Sequence, residues 1–231
     1  MTRLVSISKN SERLVVDPEK IHWLKRFVNQ GEGQQIEFKA KTNFPDKIVH
    51  ELIAFANANG GTLLIGISDD RKISGVKYPE EDEMLIKNAL HKHCWPRINV
   101  KSSIIKVSEK KWVVVFDVRE SKRKPVRFKL SRTKQIAYIR YQDKTLQASR
   151  EAEGILRLRF GKQAVSFGYG DVENRILKVL DGKRQANFNE LKTLTGIGDT
   201  ILSSKLINLA AANVIGWKPL DSTDIFISPT L

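Results

Sequence analysis

The sequence predicts an α+β chain in two parts, a mixed α/β N-terminal domain over residues 1–160 and a small, mostly helical C-terminal domain over residues 171–231. Three observations predict it. Helical and strand-like patterns alternate as far as residue 160, whereas short helical patterns dominate after 171. The stretch GKQAVSFGYG (161–170) between them is glycine-rich and reads as a linker. The formal charge of +14 belongs to the first part, because residues 171–231 hold seven basic and seven acidic residues.

Length and composition narrow the class. A chain of 231 residues with 41% apolar content suits one large domain or two small ones. Charged and aliphatic residues are mixed throughout, which argues against disorder. No apolar run approaches the ~18 residues that span a bilayer. The opening MTRLVSISKNSERL has no apolar core followed by small residues, so no secretory signal is expected. Cys94 is the one cysteine, which rules out an internal disulfide. A soluble, cytoplasmic protein with no membrane contact is the expectation.

The elements follow in order. Asp17-Pro18 supplies a capping carboxylate and then a proline at the first helical position, and Ile21, Leu24 and Val28 share one face. A helix is therefore predicted from 18 to near Gly31. Residues 34–41 alternate Ile36 and Phe38 with Gln35, Glu37 and Lys39, as a strand does. Residues 46–58 give a broad apolar helical face from Ile48, Leu52, Ile53, Phe55 and Ala56, broken by Asn59-Gly60-Gly61. The apolar run 62–67 has strand length and is expected to be buried on both faces. Asp69-Asp70 starts a turn into ISGV (73–76), the next strand of a hairpin. A helix over 80–93 ends before Pro96, strands are predicted at 97–107, 111–118 and 135–141, and a helix at 148–160.

Between the last two strands lies RESKRKPVRFKLSRTK (119–134), which carries Arg119, Lys122, Arg123, Lys124, Arg127, Lys129, Arg132 and Lys134 against Glu120 alone. It reads as a loop or arm between strands. Like charges this dense repel one another without an anionic partner, and an arm of this kind can clamp phosphates. Lys39, Lys41 and Arg140 extend the set of candidate phosphate contacts. Trp112, Tyr138 and Tyr141 could stack bases, but strand aromatics usually belong to the core. DNA or RNA is the partner that this charge predicts.

The ordered set Glu32-x4-Glu37-Phe38-Lys39, AFANANGGTLLIGISDD (54–70), ISGV (73–76) and YIRYQDKTLQASREAEGI (138–155) resembles the Schlafen-type Alba-like domain, also labelled divergent AAA. The resemblance covers roughly residues 18–160 and implies an Alba-like fold and nucleic-acid binding. In some vertebrate members the domain is a metal-dependent endoribonuclease of structured RNA. By motif position their three acidic residues correspond to Glu32, Glu37 and Asp69, with Ser68 standing where those members often carry another aspartate. The resemblance thus implies these three as catalytic residues and as ligands of Mg2+ or Mn2+, provided that the strands bring them together. Read alone, Glu37 is a strand-face charge near Lys39 and Asp69 a turn former.

The divergent AAA label implies ATP binding, but G-x-x-x-x-G-K-[ST] is absent, and Gly60-Gly61 precedes a strand rather than a helix. A tight helix-to-strand turn explains these glycines. In His91-Lys92-His93-Cys94 the two histidines point about 200° apart on a helix, so they do not form one metal face.

The C-terminal part reads as a helix–turn–helix with a wing. VENRILKVL places Ile176, Leu177 and Leu180 on one side. NFNELKTLTGI and DTILSSKLINLAAANVI form the pair, with Gly196 and Gly198 in the turn and Asp199 at the second N-cap. The recognition helix would expose Thr200, Ser203, Ser204, Lys205 and Asn208, and GWKPLDSTDIFISP would supply two short wing strands. This winged-helix-like domain is neutral overall, so it can equally serve a protein partner, and domains of both kinds often pair as homodimers. Three functions stand in order: a DNA-binding transcriptional regulator, a metal-dependent endoribonuclease, and an adaptor whose tail holds a protein.

Overall fold

The computed structural model describes residues 16–161, 168–221 and 223–229. Most of the expected linker and the segment 1–15 lie outside the described residues. The chain is α+β, as predicted. Helix α1 (Pro18–Gln30) begins where expected, with the Asp17 carboxylate accepting the amides of Glu19 and Lys20 at 3.0 and 3.3 Å. Strand β1 (Ile36–Lys39), helix α2 (Pro45–Asn57) and strand β2 (Gly61–Ile65) form a parallel β-α-β unit. Helix α3 (Pro79–His93) leads into β3 (Cys94–Trp95), β4 (Val100–Ser108), β5 (Lys111–Val118), β6 (Arg127–Lys129), β7 (Gln135–Tyr141) and β8 (Lys144–Gln147). Two four-stranded sheets result, in the orders β1-β2-β5-β4 and β3-β6-β7-β8.

Alternation explains why the run 62–67 is apolar throughout. Leu63 and Ile65 face α2 in one cluster, with Phe55 and Phe116, while Leu64 and, past the positive-φ Gly66 that follows β2, Ile67 join another with Leu24, Val28 and Phe38. Helix α2 packs against both sheets and buries eight of its thirteen residues. Its last residue, Asn57, holds the second sheet in place: its amide donates to the carbonyls of Val126 and Tyr138, both at 2.8 Å, and accepts from the Val126 amide at 2.7 Å. Gly60 has φ 79°, and a Cβ there would lie 2.6 Å from the Val118 carbonyl oxygen. Gly60 is thus required by a close approach of two backbones, and Gly61 by the Phe55 ring, which a Cβ there would meet at 2.5 Å.

Three strand expectations need correction. Residues 73–76 form only the isolated bridges Ile67–Ile73 and Val76–Trp112, because Gly66 and Gly75 bend the chain there with positive φ. The strand expected from 97 starts at Val100, and the basic stretch contains β6 rather than being a free loop throughout.

After α4 (Arg150–Arg159) come α5 (Asp171–Lys183), β9 (Gln185–Asn187), α6 (Phe188–Thr195), α7 (Asp199–Ala211), β10 (Gly216–Lys218) and β11 (Ile225–Ile227). The three strands form one antiparallel sheet, β10-β11-β9. Asn187 and Glu190 cap α6 reciprocally, at 2.9 and 3.0 Å, and Gly196 ends it in the left-handed conformation. Gly198, not Asp199, is the N-cap of α7, since the Asp199 carboxylate reaches back to Lys192 at 2.7 Å. Helix α4 lies along α7, with Ile155 in the same cluster as Ile176, Leu180, Leu206 and Phe226. Among the described residues no helix is long and apolar enough to cross a membrane.

Candidate nucleic-acid interface

The cationic residues separate by burial. Arg140 on β7 has a fully buried side chain. Its guanidinium pairs with Glu37 on β1 at 2.7 Å and with Glu51 on α2 at 3.0 Å, and it donates to the carbonyls of Gly33 and Ile36. Lys39 pairs with the other oxygen of Glu37, and Thr145 donates to Glu51. Burial, and then the neighbouring Glu37 charge, push the Glu51 carboxyl above its ordinary range. Lys124 is buried as well. Its ammonium donates to the Ala58 carbonyl at 2.8 Å and to Glu120 at 2.6 Å, and it lies 3.7 Å from the centre of the Phe160 ring. Burial lowers its pKa, against the pull of Glu120. Arg127 pairs with Glu153 of α4 at 2.7 Å. Arg140 and Lys124 are therefore internal struts, and Arg127 braces two elements.

Lys41, Arg119, Lys122, Arg123, Arg132 and Lys134 are exposed. Arg119, Lys122 and Arg123 line a groove of about 620 Å³ with Trp95, Arg97 and Asn99. Two local bonds build its wall: the Arg119 amide donates to the Asn99 carbonyl at 3.1 Å, and the Ser121 amide to the Ala56 carbonyl at 2.9 Å. The acid on this wall, Glu120, is already paired with Lys124. Arg97 and Trp95 escaped the sequence reading. Their signal was Trp-Pro-Arg just after a helix end, an aromatic outside any apolar period. Trp112, Tyr138 and Tyr141 pack against apolar clusters, and Tyr138 stacks on His50 with ring centres 4.0 Å apart.

Two of the three candidate catalytic carboxylates are already engaged. Glu32 accepts the Phe38 amide at 2.9 Å, and both oxygens of Glu37 are taken by cations. Asp69 is exposed in the turn after β2, beside Asp70, whose bonds to Lys72 and Ser68 lower its pKa to about 2. Among the described residues no three His, Cys, Asp or Glu side chains are grouped as a metal site. The donor set does not fit Mg2+ or Mn2+, because Arg140 and Lys39 already neutralise Glu37.

On α7, Thr200 and Ser204 are exposed and Asn208 is half-buried. Ser203, expected on the surface, is buried and donates to Glu151 of α4, and Lys205 pairs with Glu173 of α5. The α4 contact claims that side of the helix.

Two solved structures resemble this one. The N-terminal domain of a RecG-related protein from Nitrosomonas europaea is 20% identical, with a TM-score of 0.40, over 51% of this chain and 86% of that one. The DIP2311 protein from Corynebacterium diphtheriae is 14% identical, with a TM-score of 0.42, over 91% of this chain. This chain spans 39% of the length of DIP2311. Comparison with curated proteins gave no match. The family model described as Schlafen, AlbA_2 matches residues 32–149, from the carboxylate that holds the Phe38 amide to the serine that caps α4. That is just over half of the 231 residues, so the chain belongs to the Schlafen, AlbA_2 family.

Proposed function

We propose that this protein binds nucleic acid, without cutting it, through the groove formed by Arg97, Arg119, Lys122 and Arg123, and that it acts as a DNA-binding transcriptional regulator. The observation that carries the reading is four exposed cations on one groove, with its one acid already paired. Arginine and lysine in this arrangement bind phosphates regardless of sequence. The family and the concentration of charge in residues 1–170 support it. The order α5-β9-α6-α7-β10-β11, with its small antiparallel sheet, supports a winged-helix unit that adds contacts through Thr200 and Ser204.

One observation favours a second reading, the adaptor. Leu194 on α6 and Ile201 on α7 are both more than half exposed, as a protein-docking face would have them.

Labelled tRNA and duplex DNA at low salt, with and without Mn2+, separate the readings. The intact protein should retard one or both without cutting. Replacing Arg119, Lys122 and Arg123 with Ala together should weaken binding and lower the log–log salt slope by roughly 2–3. Cleavage that needs Mn2+ and is lost in Glu32→Gln, which keeps the acceptor for the Phe38 amide, would overturn the non-catalytic reading. No retention of either polymer would leave the adaptor.

A further inference from the structure

Trp95 is 53% exposed, whereas the other three tryptophans, Trp23, Trp112 and Trp217, are packed against apolar clusters. Its backbone is fixed. Trp95 pairs with Arg127 across β3 and β6, its neighbour Cys94 is buried opposite Phe128, and His93 bonds the Lys129 carbonyl at 2.8 Å. Lys129 lies two residues beyond Arg127 on the same face of β6, and its ammonium sits 4.5 Å from the centre of the Trp95 ring. An exposed indole on a paired strand thus lines the groove, with a cation over its ring and Arg97, Arg119, Lys122 and Arg123 along the same lining.

Resting on the nucleic-acid reading above, we infer that Trp95 is a stacking platform for one unpaired base, and that the groove takes single-stranded nucleic acid in preference to duplex. A duplex offers the wall its phosphates but keeps its base faces stacked inside, so the indole gains nothing from it. A single strand offers both: phosphates to the arginines and an open base face to the ring. The cation over the indole adds a contact to the phosphate beside the stacked base. A sequence-tolerant preference follows, since every base has a face to stack.

The test uses the full chain, with labelled oligo-dT and oligo-U of about 12 nucleotides, matching a usual single-strand site size, and a duplex of equal length. Anisotropy and intrinsic tryptophan fluorescence are read together at several salt concentrations. The single strands should bind more tightly than the duplex and quench the tryptophan signal. Trp95→Ala should lose between about fivefold and a hundredfold in single-strand affinity, with duplex affinity and salt slope unchanged. Trp95→Phe should keep most of the affinity while losing the quenching. If Trp95→Ala holds single strands as tightly as the parent, or loses both polymers equally, the stacking inference falls. The groove reading survives that result as long as the Arg119, Lys122 and Arg123 variant still lowers the salt slope. If the parent protein holds neither polymer, both fall together.

Discussion

Arg140 and Glu37 form an ion pair at 2.7 Å in which the guanidinium is wholly buried and the carboxylate nearly so, and it joins β7 to β1 across 103 positions of sequence. Glu51 completes the set, so the Arg140 guanidinium bridges acids on β1 and α2, with Lys39 on the far oxygen of Glu37.

Arg140→Ala should cost about 3–5 kcal/mol, because it removes the buried cation from two acids and leaves Glu37 only Lys39 and Glu51 only the Thr145 hydroxyl. Arg140→Lys should recover only part of this, since an ammonium cannot reach Glu37, Glu51 and the Gly33 carbonyl at once. Urea unfolding followed by circular dichroism measures both. A loss below about 1 kcal/mol for the alanine variant would refute the strut role.

Lys124 belongs to the most basic stretch of the chain, yet its replacement should affect stability and not the capture of phosphate. Lys124→Met keeps the stem but removes the bonds to Ala58 and Glu120, at a cost of about 1–3 kcal/mol. In the double variant Lys124→Met, Glu120→Gln, which leaves no unpaired acid on the groove wall, the salt slope of nucleic-acid binding should stay at the parent value. A slope lower by about 1 would show that the ammonium meets a phosphate after all.

His50 gives the fold an acid sensitivity. Its ring lies against Tyr138 and Phe128, its Nε2 has no hydrogen-bond partner among the described residues, and burial holds its pKa below the ordinary value near 6.5. The unfolded chain therefore takes up the proton first. The stability contribution is whole above about pH 6.5 and is lost as the pH falls below it. The urea midpoint should drop between pH 7.5 and 5.5, and by less in His50→Phe. Equal drops in the two proteins would exclude His50 as the cause.

Gly154 sets how closely α4 approaches α7. A Cβ there would meet the Ile207 Cδ1 at 2.6 Å. Gly154→Val should cost about 1–3 kcal/mol through overpacking, and Ile207→Ala in the same chain should recover part of it. Thermal unfolding of the four proteins of this cycle gives the coupling directly. Strict additivity would count against the contact.

Local chemistry was legible in the sequence wherever neighbours in the chain decide the outcome. Asp17-Pro18 starts α1, and the apolar run 62–67 contains β2, which is buried on both faces. The short strands β8 and β9 escaped notice because three or four residues carry no period. The basic residues could not be ranked from sequence at all. Lys124 and Lys122 look alike in the chain, and only the distant Ala58 and Phe160 make the first an internal strut. Glu37 was equally opaque, since its partner Arg140 lies on another sheet and turns a candidate metal ligand into half of an ion pair. Trp95 stood out from the other aromatics only once their packing was known.

Helix α4 has a foot in each half of the molecule. Glu153 braces Arg127 in the second sheet, while Ile155 is sealed among the side chains of α5, α7 and β11. Truncation after residue 160 would leave a greasy stripe facing water and invite clumping, however sound the remaining strands. A shortened protein meant for crystals or binding assays should carry the whole tail, because stopping before Arg150 would in turn uncover Ile139 and Leu146 and unpair Arg127.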